Sequence, residues 1–195
     1  MKLAQLIQTR RNIRVIGIDD AHYADKTRGG PVNLAGVICS CTRFEGMLWG
    51  EITKDGMDST DKIGQLIIKS KFAAQLHVVL LDGITFGGCN VVDLPQLHRQ
   101  LGLPIVAVMR RMPNMEKFQH VTKQFPDSEE RWRRTLAAGQ IHQMDNWTFQ
   151  CVGEEPETIT KVLERLTDTG KVPEALRVAH LIGSAVMMGE STNRA

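Results

Sequence analysis

Aspartates close two apolar runs in this chain, Arg14-Val-Ile-Gly-Ile-Asp19-Asp20 and His77-Val-Val-Leu-Leu-Asp82-Gly83. A third acidic group, Asp55-Gly-Met-Asp58-Ser-Thr-Asp61, lies between them. A carboxylate at the end of a buried strand stands on the rim of a sheet, and several on one rim repel each other unless a cation lies among them. Magnesium or manganese suits such a rim, held by one or two carboxylates with water and substrate phosphate filling the octahedron. The chemistry it supports is metal-assisted phosphodiester hydrolysis. Adjacent residues of an extended segment point to opposite faces, so only one of Asp19 and Asp20 can aim at a given ion. Asp82 would end the neighbouring strand, about 4.8 Å away, close enough to share an ion at an oxygen–metal distance of ~2.1 Å. Asp58 would add a third ligand from a helix terminus. Each aspartate also has an ordinary use: Asp58 as a helix cap, Asp20 as a loop anchor, Asp82-Gly83 as a turn. Their conjunction on one rim favours the metal.

Directly after Asp82 comes Gly83-Ile-Thr-Phe-Gly87-Gly88-Cys-Asn90. Its glycines permit close backbone approach to a ligand, and Thr85 and Asn90 can donate hydrogen bonds. Phe86 reads equally as a stacking residue for a base and as core. The segment lacks the Gly-Lys-Ser/Thr ending of a phosphate-binding P-loop and the G-x-G-x-x-G spacing of a dinucleotide site. Arg110-Arg111 and Arg131-Trp132-Arg133-Arg134, with Lys117, His120 and Lys123 between, would give the middle third a basic face for phosphates. The plainer reading there is a solvated helix with Trp132 packed inward. His180 sits on an otherwise apolar helical stretch, the usual place of a satisfied core histidine, and Arg177 can pair with phosphate or with Glu174.

These residues need elements to carry them. The chain has 195 residues and a formal charge of +2, enough for one domain with its own core, and residues 1–12 read as an N-terminal helical extension. No apolar run approaches the ~20 residues of a membrane span, and Met1 to Asn12 lacks the apolar core of a signal peptide. The expectation is a cytoplasmic protein with no membrane partner. Four cysteines without a CxxC pair read as buried free thiols rather than a zinc site. Ile13 to Ile18, Val32 to Thr42 and Met47 to Thr53 read as strands, the last two joined by a tight turn at Glu45-Gly46, and Asp25 to Pro31 reads as a loop. Ile63, Leu66, Ile67 and Ala74 mark a helix begun at Asp58. The run Val78 to Leu81 is apolar without alternation, as in a parallel strand buried on both faces. Val92 to Gln100 reads as a helix and Pro104 to Met109 as a buried strand. Further helices are expected over Pro113 to Lys123, Ser128 to Ala138, Pro156 to Thr167 and Pro173 to Met188, with a hairpin near Asp145-Asn146. Three antiparallel strands followed by helix, strand, helix and strand is the order of an α/β, ribonuclease H-like mixed sheet.

Several segments together resemble the largely archaeal domain-of-unknown-function 99 family, also called endonuclease dU. They are Asp19-Asp20, Asp55-Gly-Met-Asp58, Leu81-Asp82-Gly-Ile-Thr-Phe, Asn90-Val-Val-Asp93, Val108-Met-Arg-Arg111 and Pro173-Glu-Ala-Leu-Arg177-Val-Ala-His180. That family is similar to endonuclease V and has a ribonuclease H-like fold. The resemblance implies cleavage of DNA at deoxyuridine with Mg2+ or Mn2+, with Asp19 and Asp82 as metal ligands and His180 in the site. Asp58 is the best positional substitute for the glutamate of endonuclease V, and the Pro-Tyr-Ile-Pro wedge of that enzyme has no counterpart. A base would be extruded near Gly83 to Asn90, with Arg110, Arg111 and Arg131 on the backbone. Two rival expectations are a nuclease for inosine-containing or structured RNA and a non-catalytic nucleic-acid-binding module.

Overall fold

A computed structural model of the chain describes residues 2–23 and 27–192. After α1 (Leu3–Gln8), the strands β1 (Arg14–Asp20), β2 (Pro31–Ser40) and β3 (Arg43–Thr53) form an antiparallel meander. Then come α2 (Ser59–Ile68), β4 (Val78–Asp82), the small hairpin β5 (Thr85–Phe86) and β6 (Asn90–Val91), α3 (Leu94–Leu101) and β7 (Ile105–Met109). Two helices follow, α4 (Met115–Thr122) and α5 (Ser128–Ala137), then the hairpin β8 (His142–Met144) and β9 (Trp147–Val152). The helices α6 (Pro156–Leu166) and α7 (Glu174–Met188) close the chain. The main sheet runs β3-β2-β1-β4-β7-β9-β8, with β1, β4 and β7 mutually parallel and the outer pairings antiparallel.

Side-chain alternation splits the core into two layers. Val15, Val78 and Leu80 pack under α6 and α7, while Ile16, Ile18, Val79 and Leu81 pack under α2 and α3. Full burial of each such side chain is worth about 1.5–3 kcal/mol. Both faces of β4 are covered, which explains its unbroken apolar run. Gly17 sits where α7 crosses β1: a Cβ there would lie 2.6 Å from the Ala175 carbonyl carbon. The missing side chain lets α7 press against the sheet.

Two local expectations are corrected. The β2–β3 turn lies at Cys41-Thr42, not Glu45-Gly46, and Cys41 adopts φ +53°. Pairing slips between Ile38 and Cys39, which face Gly46 and Phe44, so Glu45 is the extra residue of a bulge. Arg14 Nε at 2.7 Å and Arg43 Nη2 at 2.8 Å hold it. The helix expected from Val92 starts instead at Leu94, after Asp93 caps it by accepting from the Gln96 N–H at 2.8 Å. Of the loop expected from Asp25 to Pro31, residues 25 and 26 lie outside the described residues.

Candidate active site

Parallel pairing of β1 with β4 matches Ile18 to Leu81, so the next residues, Asp19 and Asp82, stand side by side at the strands' C-terminal ends. Both belong to the α7 face, the parity of Val15 and Leu80. α7 delivers His180, whose Nδ1 is 2.9 Å from Asp19 Oδ2. The loop after β7 delivers Arg110, whose Nη2 is 3.5 Å from Asp82 Oδ2. Asp19 is 4% exposed. Burial, then the neighbouring Asp82 and Asp20 charges, push its carboxyl up from 3.8 to about 8. Burial also raises Asp82, against the opposing pull of Arg110 and His180. Asp20 points to the other face of the sheet, and its Oδ2 accepts from the Gly87 N–H at 2.7 Å. Burial raises its pKa too, and that hydrogen bond opposes the rise.

The outer nitrogen of His180, Nε2, lies 3.2 Å from Thr192 Oγ1. Gly189, at φ +84°, ends α7 and turns the chain back. Thr192 N–H then reaches Ser184 Oγ at 3.4 Å, and Ser184 Oγ donates to the His180 carbonyl at 2.7 Å. His180 is therefore held at both ring nitrogens. It borders a cavity of about 450 Å³ shared with Asp20, His22, Tyr23 and Thr192.

Four other expected site residues take structural positions. Asp58 is not brought to the Asp19–Asp82 pair: its carboxylate accepts from Thr53 Oγ1 at 2.9 Å, Thr53 N–H at 3.2 Å and Asn90 Nδ2 at 2.7 Å. Nor does its side chain cap α2. Asn90 Oδ1 does that, accepting from Ser59 N–H at 3.1 Å, and Asn90 is wholly buried. Phe86 is a core residue, 1% exposed and packed under α2 and α3. Arg131 is 2% exposed, its guanidinium turned into the protein. It binds both oxygens of Asp127, donates to the carbonyls of Asp55, Gly56 and Cys89, and stacks 4.2 Å from the Phe125 ring centre. Arg134 reaches the carbonyls of Met57 and Val91, and Arg133 pairs with Glu130 and Asp93. The Arg run on α5 thus clamps the two loops behind the rim. A helical arginine run carries the same pattern whether its partners are carbonyls or phosphates, so sequence alone cannot separate the two.

Arg110, Arg111 and Thr85 remain at the rim. Arg111, Thr85 and Lys117 line a cavity of about 680 Å³ that begins at Gly83, one residue beyond Asp82. Residues that the sequence reading passed over include Thr192 and Gln150, and it named Asp55 only as part of an acidic cluster. Asp55 adopts φ +54° and accepts from Cys89 N–H at 2.9 Å. Nothing in a lone threonine near a chain end or one glutamine in a strand marks either beforehand.

Two carboxylates side by side, buried and mutually repelling, are a donor set that suits magnesium or manganese, which take one or two carboxylates and leave the remaining positions to water and phosphate. Among the described residues no three His, Cys, Asp or Glu side chains converge to hold an ion by themselves. The pair fits a metal completed by its substrate.

A mixed sheet with this strand order, carrying acids on the rim of its central strands, defines a ribonuclease H-like fold. Endonuclease V of Ciona intestinalis, solved with a 24mer DNA containing an inosine followed by a ribo-adenosine, shares that fold at TM-score 0.55 and 15% identity, over 87% of this chain and 84% of the other. The chain belongs to the endonuclease dU family, whose sequence model matches residues 11–187. A UPF0215 protein of Methanosarcina barkeri is 40% identical over 188 residues, 94% of this chain and 95% of its own. The crystal structure of an Archaeoglobus fulgidus protein of unknown function superposes at TM-score 0.84 with 34% identity, covering 89% and 98% of the two chains. Family membership supports a nuclease. No helix among the described residues is long and apolar enough to cross a membrane.

Proposed function

We propose that the protein is a divalent-metal-dependent endonuclease that hydrolyses a phosphodiester bond in DNA near a deaminated base, deoxyuridine first. The observation that carries this reading is the buried Asp19–Asp82 pair with His180 seated on Asp19. Asp19 and Asp82 would hold magnesium or manganese. Once bound, the ion would neutralise charge at the scissile phosphate and lower the pKa of an attacking water. His180, oriented by Asp19 at Nδ1, borders the neighbouring cavity, and its Nε2 would exchange the Thr192 hydroxyl for that water or for the leaving oxygen, orienting the one or carrying a proton for the other. Arg110 steadies Asp82 while its own side chain stays 48% exposed, placed to meet a phosphate. The cavity beyond Gly83 would receive the extruded base, since a stacked base hides the edge that distinguishes it.

End-labelled strands bearing one uracil, incubated with and without magnesium or manganese, test the reading. Cutting should require both the lesion and the ion, and Asp82→Asn should abolish it while sparing the fold. Retained cutting by Asp82→Asn would remove Asp82 from the site. Tight binding with no cutting under any divalent ion would mark a binding module instead. The inosine-containing DNA held by the Ciona neighbour supports hypoxanthine as a second lesion, and strands of DNA and RNA carrying it belong in the same assay.

A further inference from the structure

The floor of the cavity beyond Gly83 holds a polar group that none of the chemistry above uses. Gln150 lies on β9 opposite Ala107 of β7, and it is 3% exposed. Its Nε2 donates to the Gly139 carbonyl at 2.7 Å, which fixes the amide so that Oε1 is the free end. Among the described residues, Trp147 Nε1 is the single fully buried side-chain polar atom left without a partner. Gln150 Oε1, which no protein donor reaches, is therefore open to the cavity that Gln150 lines. The walls carry Met109, Met112, Met115 and Phe118, with Arg111 and Lys117 among the other lining residues. β9 stands two strands from β4, so their backbones are about 10 Å apart at ~4.8 Å per strand. Gln150, opposite Ala107, faces the α2 and α3 side of the sheet and Asp82 the α7 side, and the cavity links the two past the strand ends, from Gly83 to Gln150.

A fixed, unpartnered acceptor facing a pocket asks for an N–H. Deamination supplies one: cytosine N3 and adenine N1 are acceptors, whereas uracil N3 and hypoxanthine N1 carry hydrogen. The parent bases cytosine and adenine would set acceptor against acceptor. Sites built to meet a hydrogen bond reject partners that lack it. We propose that Gln150 is a specificity-determining residue whose Oε1 selects deaminated over parent bases by accepting the ring N–H. The inference rests on the cavity's being the base pocket of the nuclease proposed above. It does not separate uracil from thymine, whose N3 is also protonated.

Single-turnover cutting and equilibrium binding should be measured on strands bearing uracil, N3-methyluracil, cytosine or thymine, with the wild-type protein and with Gln150→Leu. The wild type should favour uracil over both N3-methyluracil and cytosine. Gln150→Leu should shrink those two ratios by about ten- to a hundredfold and leave the uracil-to-thymine ratio unchanged. The methylated strand interrogates the intact protein, so the test survives if the variant folds poorly. Equal handling of uracil and N3-methyluracil by the wild type overturns the role of Gln150, as does an unchanged ratio in a folded variant. Cutting without that ranking would remove Gln150 and keep the nuclease. Ranking in binding without cutting would keep Gln150 and remove the nuclease.

Discussion

Asp19 and Asp82 are a destabilising arrangement that the fold nonetheless builds. A carboxyl whose pKa rises on folding binds its proton more tightly in the native state, so stability is full at low pH and is lost as pH rises from 3.8 toward about 8. Asp19→Asn removes that linkage. In chelator, its melting temperature should exceed that of the wild type at pH 8 and match it near pH 4, by about 2–4 °C for each kcal/mol relieved. Melts across that range that run parallel for the two proteins would contradict the burial of a titrating Asp19. Asp58 gives the contrasting case. Its oxygens serve Thr53 and Asn90, so Asp58→Asn should cost about 1–3 kcal/mol in urea unfolding and leave the cleavage rate within about threefold once the protein is folded. Abolished cutting in a variant of wild-type stability would return Asp58 to the metal.

Helix α5 is the element whose purpose differs most from its appearance. Its arginines tie the carbonyls of the loop before α2 to those of the β5–β6 hairpin, and that hairpin's Gly87 N–H holds Asp20. Arg131→Met leaves Asp127 without its partner and three carbonyls without a donor. Asp127 is 37% exposed and loses little, whereas leaving buried acceptors without a donor typically costs about 1–3 kcal/mol, and equilibrium unfolding should show a loss of at least that size. Stability unchanged, with DNA binding weakened, would instead make Arg131 a phosphate contact. α7 shows the converse relation. Its course over Gly17 sets the depth at which His180 meets Asp19, so a backbone residue with no side chain positions a side chain of the site.

Over the whole molecule, charge is nearly balanced, and the arginines of α5 are spent internally. Among the described residues, the exposed cations at the rim are Arg110, Arg111 and Lys117. Three phosphate contacts predict a salt slope of about −2 for a single strand, at ~0.7 per contact. Arg111→Ala should shallow that slope by just under one, whereas Arg133→Ala, on a side chain paired with Glu130 and Asp93, should not change it. Titrations at several salt concentrations decide between this small rim and the broader basic face suggested by the arginine run.

The alternation of apolar residues, the strand-ending aspartates and the proline-led helices are local, and they were legible in the chain: β1, β4, β7 and the helices that cover them fall close to their expected ranges. The acids at 19 and 82 could be placed on one rim because side-chain parity and strand ends are properties of a single segment. Partner choice is not. Whether Asp58 faces a metal or Thr53, whether Arg131 meets phosphate or Cys89, and whether Glu45 makes a turn or a bulge depends on what other segments bring within about 3 Å, the range of a hydrogen bond. The sequence by itself determined which groups could do chemistry and which strands would carry them. Only the tertiary structure decided which of those groups were already satisfied, because a hydrogen bond is settled by distance and direction between residues far apart in the chain.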